Sequence, residues 1–479
     1  MKNYFVTTSI PYVNGDPHIG FAMELIQADV LARLARLEKK QVIFSTGTDE
    51  HGGKIAEKAA DLSITPKALA DQISLKFSDL ATKLNVKYDR FIRTTNEEHV
   101  KRAQAIWNLL KDDIYKANYI GWYCTGDEAF FTETEVKELN GICPNHNRPF
   151  ERIEEENYFF RLSKYSEKIK EAILNKTLNI LPENKSHEIL TLIDNGLDDV
   201  SISRPQDKIN WGIKTPDDNS QVMYVWFEAL MNYITVLGYP DGKDFKTYWP
   251  ANVQIIGKDI IRFHAAIWPA MLLSLGLELP EKLYVHGFVT LNGQKIGKSL
   301  GNSISPFEII DAYGSDAFRY YFLRHIPSYG DGDFSWSLFE DAYNNELANE
   351  LGNAVQRTII LIDKYFADEF IKPTVAQHDI AGYKQAILEC RFDRALDVVW
   401  EQVRGLNQYI DETKPWEVAK NNDTVHLKEI LTYQASNLLE ISILIQPFMP
   451  VTALNIRKIF SSSADNKFRQ ILFPKLDKK

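Results

Sequence analysis

The sequence predicts an α/β fold, in which a doubly wound parallel sheet carries an insertion and is followed by an α-helical bundle. Strand-like and helix-like segments alternate over the first 113 residues and again after residue 222. Between them the pattern changes to short aromatic strands and polar turns, and beyond residue 337 it is almost wholly helical. Such alternation is typical of parallel sheets covered by helices. The expected domains are the two halves of the α/β domain (1–113 and 223–290), the insertion (114–222), a lysine-containing region (291–337) and the bundle (338–479).

The elements follow from hydrophobic spacing. Residues 4–10 form an extended run and residues 41–45 an apolar strand, and the segment between them repeats its apolar residues every three or four positions, as an amphipathic helix does. Thr95 and Glu98 predict a capping box at the start of a later helix. Further predicted helices are 66–86, 97–110, 223–237, 261–275, 359–366, 392–410 and 427–445, and further predicted strands are 253–257 and 283–289.

Composition bounds the class of protein. A chain of 479 residues is too long for one core, and 44% apolar residues supply several. Three cysteines fit a reducing compartment, and no apolar segment has the length and continuity of a membrane span. The net charge of −10 argues against non-specific nucleic-acid binding but does not exclude a shaped RNA held by a local surface. We therefore expect a soluble, cytoplasmic, multidomain protein without internal repeats.

Two distant segments gain meaning together. Residues 17–20 read Pro-His-Ile-Gly and stand between a predicted strand and a predicted helix, where backbone N–H groups attract phosphate. Residues 295–299 read Lys-Ile-Gly-Lys-Ser and follow Asn292-Gly293, a hairpin signal, so that two lysines are displayed on a loop. A phosphate-binding turn and a lysine loop in this order indicate ATP.

These segments resemble the two signatures, His-Ile-Gly-His and Lys-Met-Ser-Lys-Ser, of class I aminoacyl-tRNA synthetases, and the surrounding residues resemble the methionyl family. The resemblance covers essentially the whole chain. It implies a Rossmann-type catalytic domain, an inserted connective domain, a stem-contact region and an anticodon-binding bundle. It also implies a methionine–tRNA ligase that forms methionyl-adenylate and pyrophosphate from methionine and ATP with Mg²⁺. Methionine would then pass to the 3′-terminal adenosine of tRNA(Met), for initiation and elongation, without a covalent enzyme intermediate.

The resemblance implies that both signatures bind ATP and stabilise its phosphates during the reaction. His18, Lys295 and Lys298 would be catalytic, because this reaction needs donors and cations that stabilise charge moving onto pyrophosphate. The sequence departs from the family at Phe21, where the second histidine is expected, and at Gly297, which would make the loop more flexible than serine does. The ATP-binding residues implied are His18, Gly20, Gly257, Asp259, Lys295, Lys298 and Ser299.

The same resemblance places the methionine pocket. Asp49 follows the second predicted strand, at the edge where open α/β folds bind ligands, and would hold the α-ammonium group. An ordinary strand-to-helix turn is the alternative there, and helix core is the alternative for the aromatic residues. Polarisable aromatic walls nevertheless suit a thioether. The methionine-binding residues implied are Ile10, Tyr12, Asp49, Trp226, Ala229, Tyr233, Ile260, His264 and Trp268.

The insertion raises a question about zinc. Cys124 and Asp127, and then Cys143 and His146, have the spacing of a metal-binding knuckle, and many relatives bind zinc in this region. One expected cysteine is aspartate here, which would weaken the site. We favour a hairpin without metal, held by Tyr119, Trp122, Tyr123, Phe130 and Phe131.

In the bundle, Asn353, Arg357 and Trp416 match the positions that read the anticodon in the family. A solvated helix face and a packing tryptophan are the alternatives. Because the chain stops soon after the bundle, without the appended dimerising domain of some relatives, we expect a monomer.

Three other functions remain open. Another class I synthetase, such as a leucyl or cysteinyl enzyme, would share both signatures, but the Asp49 segment and the Tyr-Val-Trp sequence at 224–226 argue against it. A small-substrate nucleotidyltransferase has no need of so long a helical domain. A non-catalytic tRNA-binding paralogue fits Phe21 and Gly297. The intact residues that speak against it are His18, Asp49, Asp259, Lys295 and Lys298.

Overall fold

The computed structural model describes residues 3–124, 129–131, 133–144, 147–296, 304–366, 373–376, 381–461 and 471–476. The chain divides into two compact units. The first unit comprises residues 1–17, 39–79 and 88–285, and the second comprises 18–38, 80–87 and 286–479. The predicted fold class is confirmed, since the first unit contains a sheet of parallel strands with helices and the C-terminal part of the second is helical.

Most of the strands are short. The strands are β1 (Asn3–Thr8), β2 (Gln41–Thr48), β3 (Arg90–Arg93), β4 (Ile114–Cys124), β5 (Ala129–Phe131), β6 (Ile142–Cys143), β7 (Arg148–Pro149), β8 (Glu151–Phe160), β9 (Asn179–Leu181), β10 (Val200–Ser201), β11 (Ser203–Pro205), β12 (Lys214–Thr215), β13 (Asp218–Met223), β14 (Val253–Gly257), β15 (Lys282–His286), β16 (Val289–Leu291), β17 (Gln294–Lys295) and β18 (Gly332–Phe334). However, β4 and β8, in the stretch where short strands were predicted, have 11 and 10 residues.

The helices alternate with strands in the first half and follow one another in the second. They are α1 (Ile19–Leu37), α2 (Gly53–Asp61), α3 (Pro66–Lys83), α4 (Glu97–Leu109), α5 (Glu133–Glu138), α6 (Ser166–Leu174), α7 (Glu183–Asp194), α8 (Val225–Leu230), α9 (Asn232–Thr235), α10 (Lys243–Tyr248), α11 (Trp268–Ser274), α12 (Pro306–Tyr313), α13 (Ser315–Arg324), α14 (Trp336–Ala342), α15 (Asn353–Phe366), α16 (Ala381–Leu388), α17 (Phe392–Thr413), α18 (Pro415–Lys420), α19 (Thr424–Leu444) and α20 (Pro450–Ser461). Two segments, Phe263–Ile267 and Tyr343–Gly352, are π-helical.

The main sheet has the strand order β3-β2-β1-β14-β15-β9. The pairs β2–β3, β1–β2, β1–β14 and β9–β15 are parallel. The order of the strands reverses between β1 and β14, and ligands of doubly wound sheets bind beyond the carboxyl ends of the strands at such a switch point. The topology therefore directs attention to the residues that follow β1, β2 and β14.

The stretch interpreted as an insertion contains a separate antiparallel sheet, β10-β8-β4-β5, but it also supplies the edge strand β9 to the main sheet. Phe160, Ile169 and Ile193 from this stretch belong to the same buried apolar cluster as Phe5 and Ile256. The domain boundaries given above remain a prediction.

The second unit groups α1 with the C-terminal helices. Arg319 of α13 is fully buried and lies 2.8 Å from the carboxylate of Asp29 on α1. Its other N–H groups donate to the carbonyls of Pro447 (2.7 Å) and Phe448 (2.5 Å). A buried guanidinium needs such complete pairing, so these bonds fix α1 against the rest of the unit.

Two local predictions have opposite outcomes. The hairpin at Asn292 and Gly293 is confirmed, with φ angles of 49° and 75° between the antiparallel strands β16 and β17. The capping box of Thr95 and Glu98 is wrong, because Asn96 occupies the N-cap position of α4 and makes no side-chain capping bond. The Thr95 hydroxyl donates to Glu50 instead, since that buried carboxylate demands a donor.

Among the described residues, no helix is both long and apolar enough to cross a membrane.

Candidate active site

Two residues predicted to bind methionine are neighbours beyond the carboxyl ends of β1 and β2. Tyr12 and Asp49 form an isolated parallel bridge. The Asp49 N–H donates to the carbonyl of Pro11 at 2.9 Å, and the Val13 N–H donates to the carbonyl of Asp49 at 3.1 Å. Main-chain bonds thus hold the backbones of Tyr12 and Asp49 side by side, and Asp49 is 2% exposed.

Gly47 explains how the chain reaches this geometry. A Cβ atom built on Gly47 in β2 would lie 2.0 Å from the carbonyl oxygen of Ile92 in β3. Any side chain would push the two strands apart just before Asp49. Glycine is therefore required for the close packing that places the end of β2.

Aromatic rings form one wall of the site. The rings of Trp226 and Phe263 are stacked, with centroids 4.1 Å apart and an interplanar angle of 10°. Tyr12 meets Trp226 edge to face at 6.0 Å. Trp226 comes from α8 and Phe263 from the π-helical segment, so two elements distant in sequence from β1 build the wall. A surface of this kind suits a polarisable thioether.

His264 and Tyr233 form a buried polar pair beside this wall. The Tyr233 hydroxyl lies 2.7 Å from Nε2 of His264, and Nδ1 of His264 lies 3.0 Å from the carbonyl of Ile260. A carbonyl only accepts, so Nδ1 carries the proton and Nε2 accepts from Tyr233. Burial lowers the pKa of His264 to about 4. The imidazole is therefore neutral at physiological pH.

The remaining predicted pocket residues also belong to the first unit. Ala229 and Trp268 are buried, whereas Ile10 and Ile260 are partly exposed. The rings of Tyr233 and Trp268 lie 5.7 Å apart. Gly257 ends β14, and Asp259 is exposed on the short helical turn Lys258–Ile260 that follows it.

His18 and Gly20 lie at the start of α1, in the second unit. His18 is the N-cap residue, and its Nδ1 accepts the N–H of Phe21 at 3.3 Å. The proton of a neutral His18 is therefore on Nε2, which becomes a donor. A Cβ atom on Gly20 would lie 3.1 Å from the imidazole, so glycine gives the exposed ring its room.

The root of the lysine hairpin is fixed by two aspartates. Asp333 accepts the N–H of Gly293 at 2.7 Å and the hydroxyl of Thr290 at 2.6 Å, and Asp331 accepts the N–H of Phe288 at 2.8 Å. Lys295 ends β17, where its backbone pairs with Thr290. Lys298 and Ser299, also predicted here, lie outside the described residues.

In the helical bundle the structure brings two of the three predicted anticodon-reading residues together. The guanidinium of Arg357 lies over the ring of Trp416, 4.8 Å from its centroid, and donates to Asp411 at 2.9 Å. Asn353 is exposed at the start of α15, one turn before Arg357. Trp416 is partly exposed near the start of α18.

The structure describes only two of the four residues of the predicted metal-binding knuckle. Cys124 and Cys143 are buried in a small cluster with Val136 and Phe150, and Asp127 and His146 lie outside the described residues. Within the described ranges, no group of three histidine, cysteine, aspartate or glutamate side chains has the arrangement of a metal site. The zinc question therefore stays a prediction, and no step below depends on zinc.

Sequence reasoning missed several residues that build the site. Phe263, the stacking partner of Trp226, stands three positions after Ile260 and next to His264, and this spacing was a usable signal. His51, His99 and Glu228 form a buried polar cluster. They are far apart in sequence, and no spacing around His51 or His99 indicates that they meet.

Comparison with known proteins agrees with this geometry. The family profile described as "tRNA synthetases class I (M)" matches residues 4–152 and 148–359. The chain is 41% identical to the methionine–tRNA ligase of Caldanaerobacter subterraneus subsp. tengcongensis, over 99% of this chain and 79% of that protein. It is also 41% identical to the methionine–tRNA ligase of Brucella suis biovar 1, over 97% of this chain and 93% of that protein.

A solved structure extends the similarity to three dimensions. Mycobacterium tuberculosis methionyl-tRNA synthetase in complex with methionyl-adenylate superposes with a TM-score of 0.90 at 38% identity, over 95% of this chain and 93% of that chain. These matches, with the switch-point site and its aromatic wall, identify the chain as a member of the class I tRNA synthetases, in the family of the methionine–tRNA ligases.

Proposed function

We propose that this chain activates methionine with ATP, releases pyrophosphate, and transfers methionine from methionyl-adenylate to the 3′-terminal adenosine of tRNA(Met). The observation that carries the proposal is the fixed pairing of Tyr12 with Asp49 next to the stacked Trp226 and Phe263. A buried carboxylate supplies the counter-charge for an ammonium group, and the aromatic wall accepts a thioether.

The methionine carboxylate is the nucleophile in this scheme, so the protein needs no nucleophile of its own. It attacks the α-phosphorus of ATP in line, and the bond to the bridging oxygen breaks as pyrophosphate leaves. Asp49 holds the ammonium group, which orients the carboxylate. The neutral His264, held by Tyr233, presents no charge to the apolar end of the substrate.

Charge develops on the phosphates during this step. His18 is suited to donate from Nε2, because its Nδ1 is occupied by the N–H of Phe21. Lys295, Lys298 and Ser299 would neutralise the leaving pyrophosphate, with Mg²⁺ as the counter-ion that accompanies ATP. Gly257 would allow close approach of the nucleoside, and Asp259 would accept a ribose hydroxyl. Phe21 cannot replace the phosphate donor that a histidine supplies there.

For tRNA, Arg357 and Asn353 would bond to base edges and Trp416 would stack on an unstacked anticodon base. The three cysteines, few for a chain of this length, favour a cytoplasmic setting. We propose that the chain acts there as a monomer.

The direct test is amino-acid-dependent exchange of pyrophosphate into ATP, measured for all twenty amino acids with purified protein and magnesium. Exchange with methionine alone is expected. Exchange with another amino acid would overturn the pocket assignment, and no exchange would favour a non-catalytic tRNA-binding paralogue.

Lys298→Ala tests the lysine loop. Removing a cation from the leaving group should lower the rate of adenylate formation at least about 100-fold with little change in methionine affinity. Equal losses in rate and affinity would contradict the assigned role.

A further inference from the structure

A carboxylate and two imidazoles are buried together beside the methionine site. Glu228 of α8 accepts from Nδ1 of His51 at 2.7 Å through Oε1 and from Nε2 of His99 at 2.9 Å through Oε2. The side chains of Glu228 and His99 are fully inaccessible, and that of His51 is 8% exposed. No chemical step above uses this cluster.

The neighbouring hydrogen bonds indicate which ring nitrogen of His99 carries the proton. The hydroxyl of Thr235 lies 2.8 Å from Nδ1 of His99 but 3.4 Å from the carbonyl of Asn232. The shorter contact favours donation from Thr235 to Nδ1, which leaves the proton of His99 on Nε2. Burial raises the pKa of Glu228. The electrostatic attraction and hydrogen bond of His51, together with the hydrogen bond from His99, lower that pKa by more, so it lies below its ordinary value. Glu228 is thus an anion that accepts one N–H from each imidazole.

One arm of the cluster leads to Asp49, the carboxylate that would bind the substrate ammonium group. His51 stands two residues after Asp49, and the intervening Glu50 is held on both sides. Its side chain accepts from Arg93 at 2.6 and 2.9 Å, and its carbonyl accepts the indole N–H of Trp211 at 2.6 Å. Asp49 and His51 therefore lie at the two ends of one short turn whose middle residue is held, and the bond from His51 to Glu228 fixes the far end of that turn.

The other arm leads to the aromatic wall. Glu228 is next to Ala229 and two residues after Trp226, on the single short helix α8. A carboxylate with two directional bonds fixes both the distance and the angle of its partners, whereas apolar contacts permit sliding. The cluster joins the element that would bind the ammonium group to the element that would bind the thioether.

We propose that Glu228 is a positioning residue for methionine, which sets the place of Asp49 relative to the α8 wall through its bonds to His51 and His99. The proposal rests on the function proposed above. Its chemical content is specific, because the cluster should matter for ligands that carry an ammonium group and not for those that lack one. Misplacement of a binding group by about 1 Å is enough to impair such recognition.

Glu228→Gln is the informative variant. Its amide has the shape of the carboxylate but accepts only one N–H, so one imidazole must face an NH₂ group. We expect the KM for methionine in pyrophosphate exchange to rise about tenfold, with kcat and the KM for ATP changed less than about twofold. Thr235→Val, which removes only the outer bond to His99, should produce a smaller rise of about threefold in the same parameter.

Two ligands separate positioning of Asp49 from general support of the fold. Calorimetry would measure binding of methioninol, which keeps the ammonium group, and of the methionine analogue that lacks the amino group. In Glu228→Gln the affinity for methioninol should fall about tenfold while that for the deaminated analogue stays within about twofold. Equal losses for both ligands, or none for methioninol, would overturn the proposal.

Asp113→Asn is the matched control. Asp113 is also a buried carboxylate of the first unit, but its donors are Lys164, Tyr165 and Ser274, none of them a predicted pocket residue. This variant should lose stability and keep the methioninol affinity. If the unsubstituted protein binds methioninol but shows no methionine-dependent exchange, the proposed function fails while the binding comparison still decides the role of Glu228.

Discussion

The proposed methionine pocket and the proposed anticodon-reading face differ in how their side chains are held. In the proposed pocket, Tyr233 and His264 are buried and bonded to each other, although Tyr12 and Trp226 are partly exposed. On the helical bundle, Arg357 and Trp416 keep part of their surface exposed, and Asp411, the ion-pair partner of Arg357, is 68% exposed. A small ligand is recognised in a largely preformed, concave pocket, whereas RNA is recognised over a large surface through its shape and its unstacked bases.

This difference predicts where substitutions will be costly. Loss of a buried partner leaves a polar group without water and costs about 1–3 kcal/mol. Loss of an exposed ion pair costs about 0–1 kcal/mol, because solvent replaces the partner. Substitutions in the pocket should therefore impair methionine binding strongly, and those on the bundle should have graded effects on tRNA alone.

The largest effect is expected at Asp49. Asp49→Asn removes the buried charge that would pair with the substrate ammonium, so the KM for methionine in pyrophosphate exchange should rise about 1,000-fold. Asp259→Asn provides the comparison, since it should affect the KM for ATP instead. An unchanged methionine KM in Asp49→Asn would show that the pocket lies elsewhere.

The second-largest effect is expected for the pH dependence of the free energy of unfolding, through the buried His264. In the unfolded chain His264 has an ordinary pKa near 6.5, and burial lowers its pKa to about 4 in the folded chain. Between these values only the unfolded chain binds the proton, so His264 stabilises the fold above about pH 6.5, and this contribution is lost as pH falls through about 4. The contribution is on the order of 3 kcal/mol.

His264→Gln keeps an acceptor for Tyr233 but does not titrate. Urea unfolding at pH 7.5 and 4.5 should therefore show a smaller loss of unfolding free energy in the variant than in the unsubstituted protein. The same loss in both would mean that the buried imidazole does not set this pH dependence.

Trp416→Ala should have an intermediate effect. Stacking of a base on an aromatic ring is worth about 1–3 kcal/mol, so the KM for tRNA in aminoacylation should rise roughly 30-fold. Pyrophosphate exchange without tRNA should be nearly unchanged. A comparable fall in that exchange would make Trp416 a packing residue of the bundle.

The smallest effect is expected at Asp411. Asp411→Asn removes an exposed ion pair with Arg357 but leaves the stacking of Arg357 on Trp416. Because an anion near RNA also repels phosphate, the KM for tRNA should fall, by less than about threefold. A rise of tenfold or more would show that Asp411 orients Arg357 and would weaken the contrast between the two regions.

The sequence predicted much of the fold because its signals are local. The helix after residue 18, the strands around 41–48 and 253–257 and the hairpin at Asn292 and Gly293 follow from spacing and turn chemistry that neighbours in sequence determine. The capping box at Thr95 failed for the converse reason. A buried carboxylate, Glu50, competes for the threonine hydroxyl, and nothing near Thr95 in sequence reveals it.

The sequence by itself determined the fold class, the order of the elements and the types of residue available for chemistry. Only the tertiary structure decided that Tyr12 and Asp49 are paired, that Phe263 stacks on Trp226, and that Glu228 joins His51 to His99. The physical reason is the distance along the chain over which each kind of interaction acts. Spacing and turn residues act over a few positions, whereas a buried charge or ring takes its partner from whichever distant segment the packed core brings within about 3–6 Å.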